Sequence, residues 1–278
     1  MDRAVPRGDG NAALARFRRL VTATIVATFV LILIGGIVRV SDSGLGCGPA
    51  GSGTQGWPLC EGGVVPAASA ESVIEYSHRI AAGVVAVLIA LVAWRAWREL
   101  RSYRWIVRAS IAAGVLVLGQ AALGGLTVEE GLHEYLVAAH LGLAMLLVGL
   151  LLTLRRLASE PEPRPREATR GLRTLSLVAT TLILATIVAG GLVAGTEGEG
   201  TPNEPVVGAH TACGQQFPTC VDRVMPFGED RLIDIQLTHR LFMYLTAIAV
   251  LALVIVAVRG GARSRAFPAL GGLLVAQI

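Results

Sequence analysis

Six stretches of this chain are apolar over the length of a membrane-spanning helix. They run over about Leu20–Val40, Ile74–Ala93, Ile106–Thr127, Tyr135–Leu154, Leu172–Ala194 and Ile235–Val258. A helix needs about 20 mostly apolar residues to cross a bilayer. A seventh stretch begins near Phe267 and is still apolar at Ile278, so the last helix reads as cut. Hydrophobic residues make up 53 % of the chain and charged residues 16 %, with a mean hydropathy of +0.62. That polar content is too small to cover a soluble surface. It excludes disorder and a secreted disulfide scaffold as well. The first span is too long for a signal peptide core, and no obvious cleavage site follows it. The expected fold class is an all-α integral membrane protein.

All 24 basic residues are arginine. The absence of lysine removes Schiff-base chemistry, a P-loop and any lysine nucleophile. The arginines alternate between loops. Arg3, Arg7, Arg16, Arg18 and Arg19 precede span one, and Arg95, Arg98, Arg101, Arg104 and Arg108 follow span two. Arg155, Arg156, Arg164, Arg166, Arg170 and Arg173 follow span four, and Arg259, Arg263 and Arg265 follow span six. The positive-inside rule makes these loops and the N-terminus cytoplasmic. The net charge of +4 is thus a topology signal, with no nucleic-acid partner implied. Expected boundaries are a cytoplasmic tail over 1–19, a four-helix half over 20–157, a Pro-rich linker over 158–171 and a second half over 172–278.

The halves repeat. Gly35-Gly36-Ile37-Val38 closes span one, and Gly190-Gly191-Leu192-Val193 closes span five. A long loop follows each, with Cys47 and Cys60 in one and Cys213 and Cys220 in the other. Each loop enters the next span through a similar run, Glu75-Tyr76-Ser77-His78-Arg79 against Gln236-Leu237-Thr238-His239-Arg240. Leu118-Gly119-Gln120 resembles Val275-Ala276-Gln277. The chain is expected to form duplicated four-helix bundles, four helices plus four in parallel orientation, with the last one to two incomplete or missing. A partner for His140 of span four would then lie beyond Ile278.

Ionisable residues in a span are functional candidates by default. His78 and His140 both lie near the outer ends of their spans, and paired histidines on facing helices can hold a haem. Helix capping or a hydrogen bond to a neighbour is the plain alternative. His133 and His210 lie in outer loops and read as solvated, with a gating or ligand role for His133 left open. Glu75 shares a helix face with His78. It can orient the imidazole, act on a bound substrate, or complement the helix dipole. Gln236 at the matching place discards the acid, which suggests one reactive site and one supporting site. Arg79 and Arg240 can pair with haem propionates or simply snorkel to the interface. Cys47–Cys60 and Cys213–Cys220 are the natural local disulfide pairs in an extracytoplasmic loop.

The run Gly35-Gly36-Ile37-Val38-Arg39, Ser43-Gly44-Leu45-Gly46-Cys47, Trp57-Pro58-Leu59-Cys60 and Glu75-Tyr76-Ser77-His78-Arg79 resembles the heme A synthase family. The resemblance covers nearly the whole chain. It implies eight transmembrane helices in two halves, and oxidation of the C8 methyl of haem O to the formyl group of haem A. It implies haem b as cofactor on His239, a substrate haem O addressed by His78 and His140, and catalysis by Glu75. Haem O synthase as donor and a membrane electron carrier are the implied partners. The spacing between Cys47 and Cys60 is longer than the family's, which weakens a transferred redox role for that pair. Two other classes compete. A di-haem b-type electron-transfer cytochrome needs the same histidines but no unmatched acid. A thiol-oxidising membrane protein leaves the in-membrane histidines unexplained.

Overall fold

The computed structural model describes residues 7–66, 68–160, 170–196, 208–260, 269 and 272. Six long helices carry the fold: α1 (Arg7–Val40), α2 (Ala70–Glu99), α3 (Arg104–Glu129), α4 (Glu134–Ser159), α5 (Arg170–Gly195) and α6 (Arg231–Arg259). All six are long and apolar enough to cross a membrane. Only 17–28 % of each apolar stretch is buried within the protein, so most of that surface requires lipid as its solvent. Helices suit this setting because they satisfy their backbone groups internally. Among the described residues the extended structure amounts to two isolated bridges, Cys60 with Gly63 and Cys220 with Arg223. The chain is an all-α, multi-pass membrane protein.

Helix boundaries follow the apolar stretches with one informative exception. The segment 1–19 reads as a tail in the sequence, yet α1 already begins at Arg7. Ala13, Leu14 and Phe17 recur at helical spacing and are buried in the main core, which holds this polar-flanked segment in the helix. Residues 161–169 of the linker expected over 158–171, the seventh span apart from Ala269 and Gly272, and the Val275-Ala276-Gln277 match lie outside the described residues.

The chain divides into two compact units, one of 1–136 with 143–164, the other of 137–142 with 165–278. The short segment from α4 groups with the second unit, where Ala138 and Leu141 lie against Gly191 of α5. In the first unit the buried core gathers Phe17 and Val21 of α1, Val85 to Ala96 of α2 with Leu100 just beyond it, Ile106 and Ala113 of α3, and Leu147 to Ala158 of α4. That is the end of the helices away from the cysteine loop. In the second unit α5 and α6 pack through Ala179, Ala249, Val250 and Leu253. Small residues let such helices approach closely where lipid gives no hydrophobic drive for association.

Candidate functional site

The site in the first unit is built where the cysteine loop meets the first turns of α2. Ser69 caps that helix, its hydroxyl accepting the Ser72 N–H at 3.1 Å. Ser72 in turn donates its hydroxyl to the Gly46 carbonyl at 2.5 Å. Gly46 sits so close that an added Cβ would lie 2.4 Å from the Glu71 carbonyl carbon, so only glycine fits there. The Cys47–Cys60 disulfide closes this loop. Glu75, 3 % exposed, accepts the Cys47 N–H on Oε2 at 2.7 Å and the Arg79 guanidinium on Oε1. Arg79 also donates Nη1 to the carbonyls of Gly56 at 2.6 Å and Leu59 at 2.7 Å. The acid and the arginine thus form a clamp between helix and loop. Further along, Glu129 of α3 accepts the Gly53 N–H, and the Trp57 indole lies over Gly125 of α3.

The second unit repeats the clamp with one change of charge. Gln236 accepts the Cys213 N–H at 3.1 Å and donates to the His210 carbonyl at 3.3 Å. Arg240 donates to the carbonyls of Thr219 and Gln216, each at 3.0 Å. These carbonyls stand one and four residues before Cys220, as those of Leu59 and Gly56 stand before Cys60. The Cys213–Cys220 disulfide closes this loop. Arg240 is 9 % exposed and its guanidinium lies 5.6 Å from the Phe217 ring centroid. Neither arginine snorkels to solvent, because loop carbonyls capture both.

The histidines occupy equivalent cradles. His78 and His239 are each the ninth residue of their helix. An added Cβ on Gly35 would lie 3.0 Å from His78 Cε1, and one on Gly190 would lie 3.1 Å from His239 Cε1. Gly35 and Gly190, the first glycine of each pair, therefore open room for an imidazole. His239 Nδ1 is 3.1 Å from the Thr186 carbonyl, four residues before Gly190. A carbonyl only accepts, so this bond requires Nδ1–H and leaves the Nε2 lone pair for a metal. Thr186 is itself tied to Thr246 of α6, hydroxyl to hydroxyl at 2.7 Å. In the first unit Leu31 holds the position of Thr186, and its backbone faces the His78 ring.

The remaining histidines fall elsewhere. His140 is the seventh residue of α4 and belongs to the segment grouped with the second unit. His133 caps α4 in an exposed position, 3.6 Å from Glu134 and stacked on Tyr135. His210 is exposed in a short 3-10 turn. The sequence reading missed the carbonyl acceptors, Thr186, Thr246 and Tyr244. One signal was present for the loops: Trp57-Pro58-Leu59-Cys60 and Phe217-Pro218-Thr219-Cys220 share an aromatic-Pro-x-Cys pattern, and both X–Pro bonds are cis.

Against this geometry the comparisons with known proteins are direct. The model of the COX15-CtaA family, described as cytochrome oxidase assembly protein, matches residues 18–278. The chain belongs to that family. Its relatives include the heme A synthase of Alkalihalophilus pseudofirmus, 33 % identical over 138 residues, which cover 49 % of this chain and 44 % of that protein. That of Bacillus licheniformis is 32 % identical over 146 residues, covering 52 % and 46 %. That of Bacillus pumilus is 33 % identical over 144 residues, covering 49 % and 44 %. The chain spans about half the length of the curated relatives it matches. A family of cytochrome oxidase assembly accords with a membrane protein that presents half-buried histidines against glycines.

Proposed function

We propose that this protein is a heme A synthase, a membrane oxidoreductase that converts the C8 methyl of haem O to the formyl group of haem A for terminal oxidases. The single observation that carries the reading is the duplicated histidine-arginine-loop arrangement with a carboxylate in one copy alone. The cofactor is haem b, with His239 as one iron ligand. The residues fit it, because the Thr186 carbonyl orients the ring with Nε2 available and Gly190 clears its edge. Haem b would supply redox chemistry, and the chain supplies the ligand and its orientation. His78 and His140 would address the substrate haem, and Arg240 would pair with a propionate of haem b, whereas Arg79 is engaged by Glu75.

Glu75 is the catalytic group in this reading. Both its oxygens already accept hydrogen bonds, from the Cys47 N–H and from Arg79. That favours a fixed charge stabilising positive character at the reacting carbon over a mobile proton acceptor. The reaction withdraws electrons and protons from the methyl carbon and adds an oxygen atom. It therefore needs water or dioxygen as the oxygen source and a membrane electron carrier to balance the electrons, with haem O synthase as the donor of substrate. The N-terminus lies in the cytoplasm and both disulfide loops lie outside the cell membrane, on the strength of the arginine bias. The two halves, 20–157 and 172–278, divide the work into a substrate half and a haem b half.

The test is to express the full-length protein with haem O supplied and to extract the haems. Haem A in the extract is expected. Haem B alone would instead make the protein a di-haem cytochrome, a reading that the near-equal cradles at Gly35 and Gly190 favour.

A further inference from the structure

The two clamps differ in the charge they leave over. Arg79 is neutralised by Glu75, which is itself buried against the loop. Arg240 has Gln236 in that place, and among the described residues no carboxylate pairs with it. Its visible partners are two neutral carbonyls and the face of Phe217. One N–H of each Nη group serves those carbonyls, which leaves the other N–H of each, and Nε–H, for a ligand. A buried cation with only neutral partners gains strongly from an anion brought beside it.

A second unsatisfied group lies in the same cluster. Tyr244 stands four residues after Arg240, on the same face of α6, and its ring is 6.1 Å from that of Phe217. The Tyr244 hydroxyl is buried without a hydrogen-bond partner. A buried hydroxyl in that state is costly and calls for an acceptor. Five residues after His78, as Tyr244 is five after His239, the first unit has Gly83. An added Cβ there would meet nothing within 4 Å. The first unit therefore lacks the spare cation and the spare donor, and has open space instead.

We propose that this leftover charge decides which half keeps a porphyrin and which exchanges it. Arg240 and the Tyr244 hydroxyl bind a carboxylate of the permanently held group, while Glu75 occupies Arg79 so that no such anchor forms beside the substrate. The inference rests on the haem reading above and adds to it the residues that set retention. It also gives Glu75 a second effect besides its catalytic charge, since an enzyme that must release its product is served by a site without a carboxylate anchor.

The experiment measures transfer of haem from the purified full-length protein to apomyoglobin, followed by absorbance. Gln236→Glu gives Arg240 the partner that Arg79 has, and is expected to speed loss of haem b about tenfold. Arg240→Gln should do the same, and Tyr244→Phe should speed it about threefold. The spectrum of the haem still bound should not change, because His239 is untouched. In the reverse direction, Glu75→Gln should slow the release of haem O from the first half. Unchanged haem b loss in Gln236→Glu, with the Cys213–Cys220 disulfide intact, overturns the proposal. Should Gln236→Glu fail to fold, Tyr244→Phe and Glu75→Gln decide, and parental rates in both overturn it equally. A parent protein that binds no haem b would sink the haem reading itself, and that failure is visible before any variant is made.

Discussion

The entries to α2 and α6 are nearly superimposable in their bonding and unlike in one atom pair. In both, a disulfide loop offers an N–H and two carbonyls to a helix, and the helix answers with residues three before and one after its histidine. Glu75 and Gln236 accept the same amide, from Cys47 and Cys213. Arg79 and Arg240 take the same pair of carbonyls. Exchanging a carboxylate for an amide preserves the clamp and removes a charge. The lesson is that the two copies share the mechanical part of the clamp and differ in its charge. The histidine cradles diverge in the same restrained way: both have a glycine against the ring, but Thr186 with its Thr246 tie stands where the first unit has Leu31.

The comparison can be broken most severely at the histidine that the second unit orients. His239→Ala is expected to abolish the haem b spectrum, whereas His78→Ala should keep that spectrum and lose haem A formation; pyridine haemochrome analysis of purified protein reads both. A haem b signal surviving in His239→Ala would invert the assignment of the halves.

Next in size is Glu75→Gln, which makes the first clamp a copy of the second. Haem A yield should fall by about 10²–10³, in line with loss of a charge preorganised for the transition state. The haem b signal should persist, with haem O accumulating. Near-parental haem A in the extract would reduce Glu75 to a clamp residue with no catalytic part.

Gly35→Ala and Gly190→Ala sharpen the comparison at the cradles. Each methyl would press on an imidazole at 3.0 or 3.1 Å, a distance at which the ring must shift. Overpacking of this kind costs about 1–3 kcal/mol. Gly190→Ala should lower haem b occupancy, and Gly35→Ala should lower turnover with haem b intact. Identical phenotypes for the two would mean that the halves are not specialised as proposed.

The smallest difference concerns the disulfides. They close separations of 13 and 7 residues. Loss of either should cost about 2–4 kcal/mol, and loop entropy makes the first worth about 0.5 kcal/mol more. Thermal unfolding of Cys60→Ser and Cys220→Ser measures this. A larger penalty for the shorter loop would show that local packing outweighs chain entropy there.

The helices and the repeat were legible because they depend on patterns local in the chain. Apolar runs of spanning length leave the backbone no alternative to helix, and the Gly pair, Cys pair and His-Arg pair recur in the same order. Helix α1 also reaches ahead of its apolar stretch, from Arg7, where Ala13, Leu14 and Phe17 join the core. The sequence by itself determined that the protein is a helical membrane protein with two related halves, and that Glu75 and Gln236 break their symmetry. Tertiary structure alone decided what those two residues touch. Backbone carbonyls carry no sequence signature, so the capture of Arg79 by Gly56 and Leu59, of Arg240 by Gln216 and Thr219, and of His239 by Thr186 could arise only once the loops had folded onto the helices. The same holds for the charge left on Arg240, because neutralisation depends on which groups lie within a few ångströms of the guanidinium, and chain order does not specify that.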